Sequence, residues 1–176
     1  MEADVARGRP QTGPTGRMSV LVATDGSLGA LYAADWVAGH FEPWAITLTI
    51  VVVRERYSPK FDSLYPMYTP IDDEESTEAW AEQAARETAL RLHAFSAAMH
   101  IRVGDPVREI LAEARKNPPD LLVVGHRGLR GLEGVVMGSV AKSLVQHSPV
   151  PVLVVPVPRA TFRSESALSP DASLQR

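Results

Sequence analysis

Short apolar runs alternate along this chain with stretches whose apolar residues fall three and four apart, and no other feature restricts the fold as much. "MSVLVAT" (18–24) is a short apolar run rich in β-branched residues, which suits a strand buried on both faces. "DGS" then turns the chain, Ser27 is a helix cap, and Ala30, Ala34, Val37 and Phe41 mark one helical stripe. "AITLTIVVV" (45–53) predicts a second strand. A helix is expected from Ser76, its stripe running through Ala81, Ala85, Thr88, Leu92, Phe95 and Met99, with the acidic cluster ahead of it favouring the positive end of the helix dipole. "HIRV" (100–103) is a weak third strand. "GDPVREILAEARK" supplies Asp105 as N-cap, Pro106 at the first helical position and Val107, Ile110, Leu111 and Ala114 as a buried face. "DLLVV" (120–124), a helix opening at Gly138 and Ser139, and "VPVLVVP" (150–156) complete the pattern. Strands that alternate with helices must cross over and run parallel. The expected fold is α/β, an open five-stranded, mostly parallel sheet with helices on both faces.

Outside this pattern the chain changes character. Residues 1–17 and 159–176 are rich in Gly, Pro, Ser, Thr and charge without apolar periodicity, so a single domain is expected over 18–158, flanked by flexible tails. Residues 54–75, with three prolines and scattered Tyr, read as a long loop. A net charge of -3 gives no general pull toward nucleic acid or an anionic membrane, and no run approaches the ~20 apolar residues of a membrane span. With no cysteine there is no thiolate metal site, and the N-terminus lacks the apolar core of a signal peptide. A cytoplasmic protein without nucleic-acid or membrane partners is the expectation.

Two loops carry candidate chemistry. In open α/β sheets ligands sit beyond the carboxyl ends of the strands, where strand order reverses. There the chain places "ATDGS" after the first strand and "GHRGLRGLEG" after the fourth. Glycines let backbone N–H groups approach a ligand, and a helix N-terminus adds free N–H groups with a positive dipole end. The spacing is neither that of a P-loop nor the G-x-G-x-x-G dinucleotide fingerprint. Gly125, Gly128, Gly138 and Ser139 instead give G-x2-G-x9-G-S. Gly131 and Gly134 fall inside the x9 stretch and add nothing to that motif. His126 and His147 read as packing and surface residues, since no third ligand clusters with them, and Ser139 lacks a nucleophile elbow.

Through "ATDGS", "VGDPVREIL", "DLLVVGHRG" and "GSVAKSLVQHSPVPVLVVP" the chain resembles the universal stress protein family, of the ATP-binding kind. The resemblance implies an adenine nucleotide alpha-hydrolase-like, Rossmann-like fold. It also implies a nucleotide site in which Asp25, with Gly26 and Ser27 in its turn, meets the adenosine, and Val51 or Val52 packs near adenine. Gly125, Arg127, Gly128, Gly138, Ser139 and Val140 would meet ribose and phosphates. The implied cofactor is ATP, with magnesium or manganese, and the implied role is a sensor or regulator of stress response. No catalytic residue and no protein metal site are expected, and turnover is at most slow ATP hydrolysis. An interaction module that does not use nucleotide, or a nucleotidyl-transferring relative, is the alternative. The resemblance and the uncharged residues Val152 to Val155 both point to a homodimer through the fifth strand.

Overall fold

The structure, a computed structural model, describes residues 16–55, 74–127 and 137–158. Gly128, most of the two tails and residues 56–73 lie outside them. The elements run β1 (Met18–Thr24), α1 (Leu28–His40), β2 (Ile46–Arg54), α2 (Glu74–Arg91), β3 (Ala97–Val103), α3 (Pro106–Lys116), β4 (Leu121–Gly125), α4 (Ser139–His147) and β5 (Val152–Val155). The five strands form one sheet in the order β3-β2-β1-β4-β5, and every pair is parallel. The expected α/β architecture is therefore present.

Both faces of the sheet are covered, which is why β4 and the second halves of β1 and β2 are apolar without alternation; the first half of β2 alternates, with Thr47 exposed. On one face α1, with Ala33, Ala34 and Val37, packs on Val20, Val22, Leu48, Ile50 and Val123. Beside it Ala81, Ala84 and Ala85 of α2 cover Val52. On the other face Ile110, Leu111 and Ala114 of α3 and Ala141 and Leu144 of α4 pack on Leu21, Val51, Leu122 and Val124. The buried face of α2 is made mostly of small residues, Ala81, Ala84, Ala85 and Thr88. The caps form as the sequence predicts: Ser27 accepts from the Ala30 N–H, and Asp105 from the Arg108 N–H ahead of Pro106.

Strand order reverses between β1 and β4, so their carboxyl ends flank a crevice. Both ends of α2 differ from expectation, and it begins at Glu74, inside the stretch read as loop, rather than at Ser76. The stripe read through Phe95 to Met99 breaks, because α2 ends at Arg91 and a turn closed by Phe95 N–H to the Leu92 carbonyl (2.8 Å) returns the chain to the sheet. Leu92 and Phe95 remain buried, but Met99 lies within β3, which begins at Ala97 rather than His100. The spacing persisted across the turn because both sides of it pack on the same core cluster.

Candidate nucleotide site

At the end of β1 a short polar relay shapes the turn. The Gly26 N–H donates to Thr24 Oγ1 (3.1 Å), and the Thr24 and Thr88 hydroxyls lie 2.8 Å apart. Thr88 commits its one proton to the Ala84 carbonyl (2.8 Å), so Thr24 is the donor to Thr88. This buried chain pins the turn to α2. Gly26 takes φ +71, a left-handed conformation that favours glycine, and a Cβ there would press against Ala84 at 3.0 Å. Asp25 Oδ1 accepts the Ser27 N–H at 3.0 Å, an Asx turn that fixes the carboxylate at the mouth of the crevice.

Across the crevice the end of β4 comes very close. A Cβ on Gly125 would sit 2.4 Å from the carbonyl carbon and oxygen of Gly29, and a Cβ on Gly29 would collide with the Arg127 carbonyl. Ser27 Oγ also reaches toward that carbonyl, at 3.5 Å. The two glycines thus seat the first turn of α1 against the β4 loop, and the absence of a side chain at Gly125 has a structural reason independent of any ligand. Gly29 was not singled out from the sequence; its only signal is its place two residues after the Ser27 cap.

His126 joins three segments. Its backbone N–H donates to the Val155 carbonyl (2.9 Å), its carbonyl accepts the Gly138 N–H (2.7 Å), and its ring Nδ1 accepts the Val157 N–H (3.2 Å). The ring nitrogen must be unprotonated to accept. Burial, then the neighbouring Arg127 charge, lowers the His126 pKa, against a bond to Val155 that acts the other way. His126 is therefore the packing residue the sequence suggests, with the added task of tying the start of α4 to β5. Gly138 is the N-cap of α4 and makes no side-chain cap bond, and Ser139 and Val140 open its first turn. The first N–H groups of any helix lack intrahelical partners.

The structure thus gathers Asp25, Gly26 and Ser27 with Gly125 and Arg127, and ties Gly138 to them through His126. Gly128 is outside the described residues. Val51 and Val52 are both fully buried and face opposite sides of the sheet, one toward α3 and α4, the other toward α2. Beside the turn, a cleft is lined by Asp25, Gly26, Trp80, Gln83, Ala84 and Glu87. The α2 residues of that cleft carried no sequence signal, because an indole, an amide and a carboxylate on an exposed helix read as an ordinary solvated face. Among the described residues no group of three or more His, Asp or Glu side chains is gathered, and no helix is long and apolar enough to cross a membrane.

Comparison with known proteins finds relatives in sequence and in fold. A universal stress protein of Methanocaldococcus jannaschii is 29% identical over 145 residues, covering 80% of this chain and 82% of that one. One from Synechocystis is 32% identical over 110 residues, covering 55% of this chain and 98% of that one. Among solved structures, a universal stress protein in complex with cAMP superposes with a TM-score of 0.58 at 26% identity, covering 80% of this chain and 97% of that one. A family member from Arabidopsis thaliana with AMP bound gives a TM-score of 0.62 at 20% identity over 85% of this chain and 98% of that one, a likeness of fold. The profile of the universal stress protein family matches residues 16–156, and the chain belongs to that family.

Proposed function

We propose that this protein binds an adenine nucleotide, ATP, in the crevice between the ends of β1 and β4 and acts as a nucleotide-dependent sensor or regulator in stress response. The observation that carries this reading is the close approach of the Asp25–Ser27 turn to Gly125 and Arg127 at the point of strand reversal, with Gly138 tied to the same place. The cAMP complex of a relative at 26% identity supports the choice of an adenine nucleotide. In this reading Asp25, Gly26 and Ser27 meet the adenosine. Gly125, Arg127, Gly128 and Gly138, with the N–H groups of Ser139 and Val140, meet ribose and phosphates. Val51 and Val52, whose side chains are enclosed, shape the floor rather than grip the base.

The donors fit the ligand: backbone N–H groups and one guanidinium suit phosphate, and a carboxylate suits ribose hydroxyls or an exocyclic amine. A magnesium or manganese ion in this reading is held chiefly by the phosphates, as that class of ion commonly is. No residue is assigned a catalytic role. In the same reading the protein works as a homodimer in cytoplasm, joined through its fifth strand, β5. The test is to denature the washed protein, identify any released nucleotide by mass and absorbance, and titrate the stripped protein with ATP, ADP, AMP, cAMP and, as a control, FMN. Saturable binding of adenine nucleotides is expected. A folded, stripped protein that binds none of them refutes the reading.

A further inference from the structure

Two buried hydroxyls connect the Asp25–Ser27 turn to α2. Thr24 is the last residue of β1, and Thr88 lies 64 residues later in the last turn of α2, where its side chain is fully enclosed. By spacing Thr88 belongs to the buried stripe of α2, where alanine or valine would serve for packing alone. A threonine inside a helix commonly spends its proton on the carbonyl one turn back, and Thr88 does so on Ala84 at 2.8 Å. Its oxygen then accepts the Thr24 proton (2.8 Å), and the Thr24 oxygen accepts the Gly26 N–H (3.1 Å). The order is fixed at both ends, because a backbone N–H can only donate and a carbonyl can only accept. A second contact lies beside the first: a Cβ on Gly26 would meet Cβ and Cα of Ala84 at 3.0 and 3.2 Å, so the left-handed residue of the turn is seated on the residue whose carbonyl ends the relay.

On the reading of this crevice as a nucleotide site, we propose that Thr88 is a positioning residue for it: the Thr88 hydroxyl, acting through Thr24, holds the Asp25–Ser27 turn in the conformation that receives the nucleotide and couples the affinity of the site to the seat of α2. The Asx turn at Asp25 fixes the carboxylate only relative to its own turn. The relay fixes that turn relative to the helix. Without the Thr88 oxygen the Thr24 proton is left in a buried space with no acceptor at that place, which is costly. The Thr24 hydroxyl must then rotate, and its oxygen leaves the Gly26 N–H. Coupling of this kind is reciprocal, so a nucleotide that holds the turn also steadies α2 by the same free energy. The outer face of α2, with Glu78, Glu82, Gln83 and Arg86, is open to solvent. Occupancy of the crevice is thereby passed to a surface that a regulator can present.

The test compares Thr88→Val, which keeps the shape and removes the hydroxyl, with Thr88→Ser, which keeps the hydroxyl. ATP affinity is measured by calorimetry on the nucleotide-free full chain, well below the melting temperature of every variant, so that lost stability alone does not register. Thr88→Val should bind ATP about tenfold more weakly than wild type, and Thr88→Ser within about twofold of it. Ile46→Val, buried in β2 at the opposite end of the sheet, controls for destabilisation and should bind as wild type does. Independently of any ligand, amide exchange at Gly26 should be about tenfold faster in Thr88→Val. Saturating ATP should slow exchange at Ala84 and Ala85 more in wild type than in Thr88→Val. Where Thr88→Val fails to fold, Thr88→Ala removes the same oxygen and takes its place. A wild type that binds ATP beside a folded Thr88→Val that binds it equally well overturns the proposal and leaves the nucleotide reading intact. A loss in Thr88→Ser or Ile46→Val as large as in Thr88→Val, an unchanged Gly26 exchange rate, or equal slowing at Ala84 and Ala85 overturns it too. A wild type that binds no adenine nucleotide removes the nucleotide reading, and this proposal with it.

Discussion

Gly125→Ala isolates the structural half of the glycine motif. The added Cβ would lie 2.4 Å from both the carbon and the oxygen of the Gly29 carbonyl and 2.8 Å from the Ala30 nitrogen. Ordinary contacts to carbon start about 1 Å further out. All three atoms are backbone in the first turn of α1, so no side chain can rotate away. Either α1 or the end of β4 must shift, and each is tied down: Ser27 caps α1, and His126 is bonded to Val155 and Gly138. Overpacking a well-packed site costs about 1–3 kcal/mol, and rigid backbone neighbours put this case near the upper figure. For a folded unit of about 140 residues each kcal/mol moves the melting temperature by roughly 3 °C, so a loss of about 9 °C is expected. The assay is thermal unfolding of nucleotide-free protein followed by circular dichroism, which removes any contribution from ligand. Gly39→Ala is the control: a Cβ there would meet nothing within 4 Å and the residue sits in α1, so the substitution should stabilise by about 0.5–1 kcal/mol. Gly125→Ala melting within about 2 °C of wild type would refute the close packing of α1 on β4.

Further outcomes follow from other contacts. Ser27→Ala should cost about 1 kcal/mol through the lost cap of α1, measured by urea unfolding. Glu113→Ala should cost about 3 kcal/mol, since it strips Arg102, His100 and Asn117 of a shared buried acceptor, and Glu113→Gln should cost less. Burial raises the Glu113 pKa, but the bonds from Arg102 and Asn117 and the charges of Arg102 and His100 outweigh it, so the net shift is downward. Its stabilisation is therefore present above the unfolded carboxylate value, about 4.3, and is lost as pH falls through the lower folded value. His126, with a folded pKa below its unfolded ~6.5, binds its proton more readily when unfolded; its contribution is complete above that pH and declines as pH drops toward the folded value. Melting temperature against pH should fall between neutrality and pH 5 in wild type and less steeply in His126→Asn.

Much of the fold was legible because its signals are local. The run 18–24 is a strand throughout, and Asp105 with Pro106 opens α3, since β-branched burial and cap chemistry need no distant partner. The turn at Asp25 to Ser27 and the opening of α4 at Gly138 were readable for the same reason. What escaped the sequence depends on packing between remote segments. Gly29 matters only because Gly125 and Arg127 arrive about a hundred residues later. Glu113, inside an otherwise amphipathic helix, looks like a surface charge until β3 brings His100 and Arg102 to it. Met99 continued a helical spacing that the turn after Arg91 interrupts. The choice between Val51 and Val52 is undecidable from an unbroken valine run, and in the sheet both are enclosed, one on each face.

The most direct test of the nucleotide site is a titration of isotopically labelled, nucleotide-free protein with ATP, followed through its backbone amide resonances. Shifts should concentrate at Thr24 to Ser27, at Gly125 to Arg127 and at Gly138 to Val140, the three segments that meet at the strand reversal, and should vanish in Gly138→Val with Ser139→Ala. Shifts confined to other parts of the chain, or a folded protein unmoved by millimolar ATP, would contradict the account.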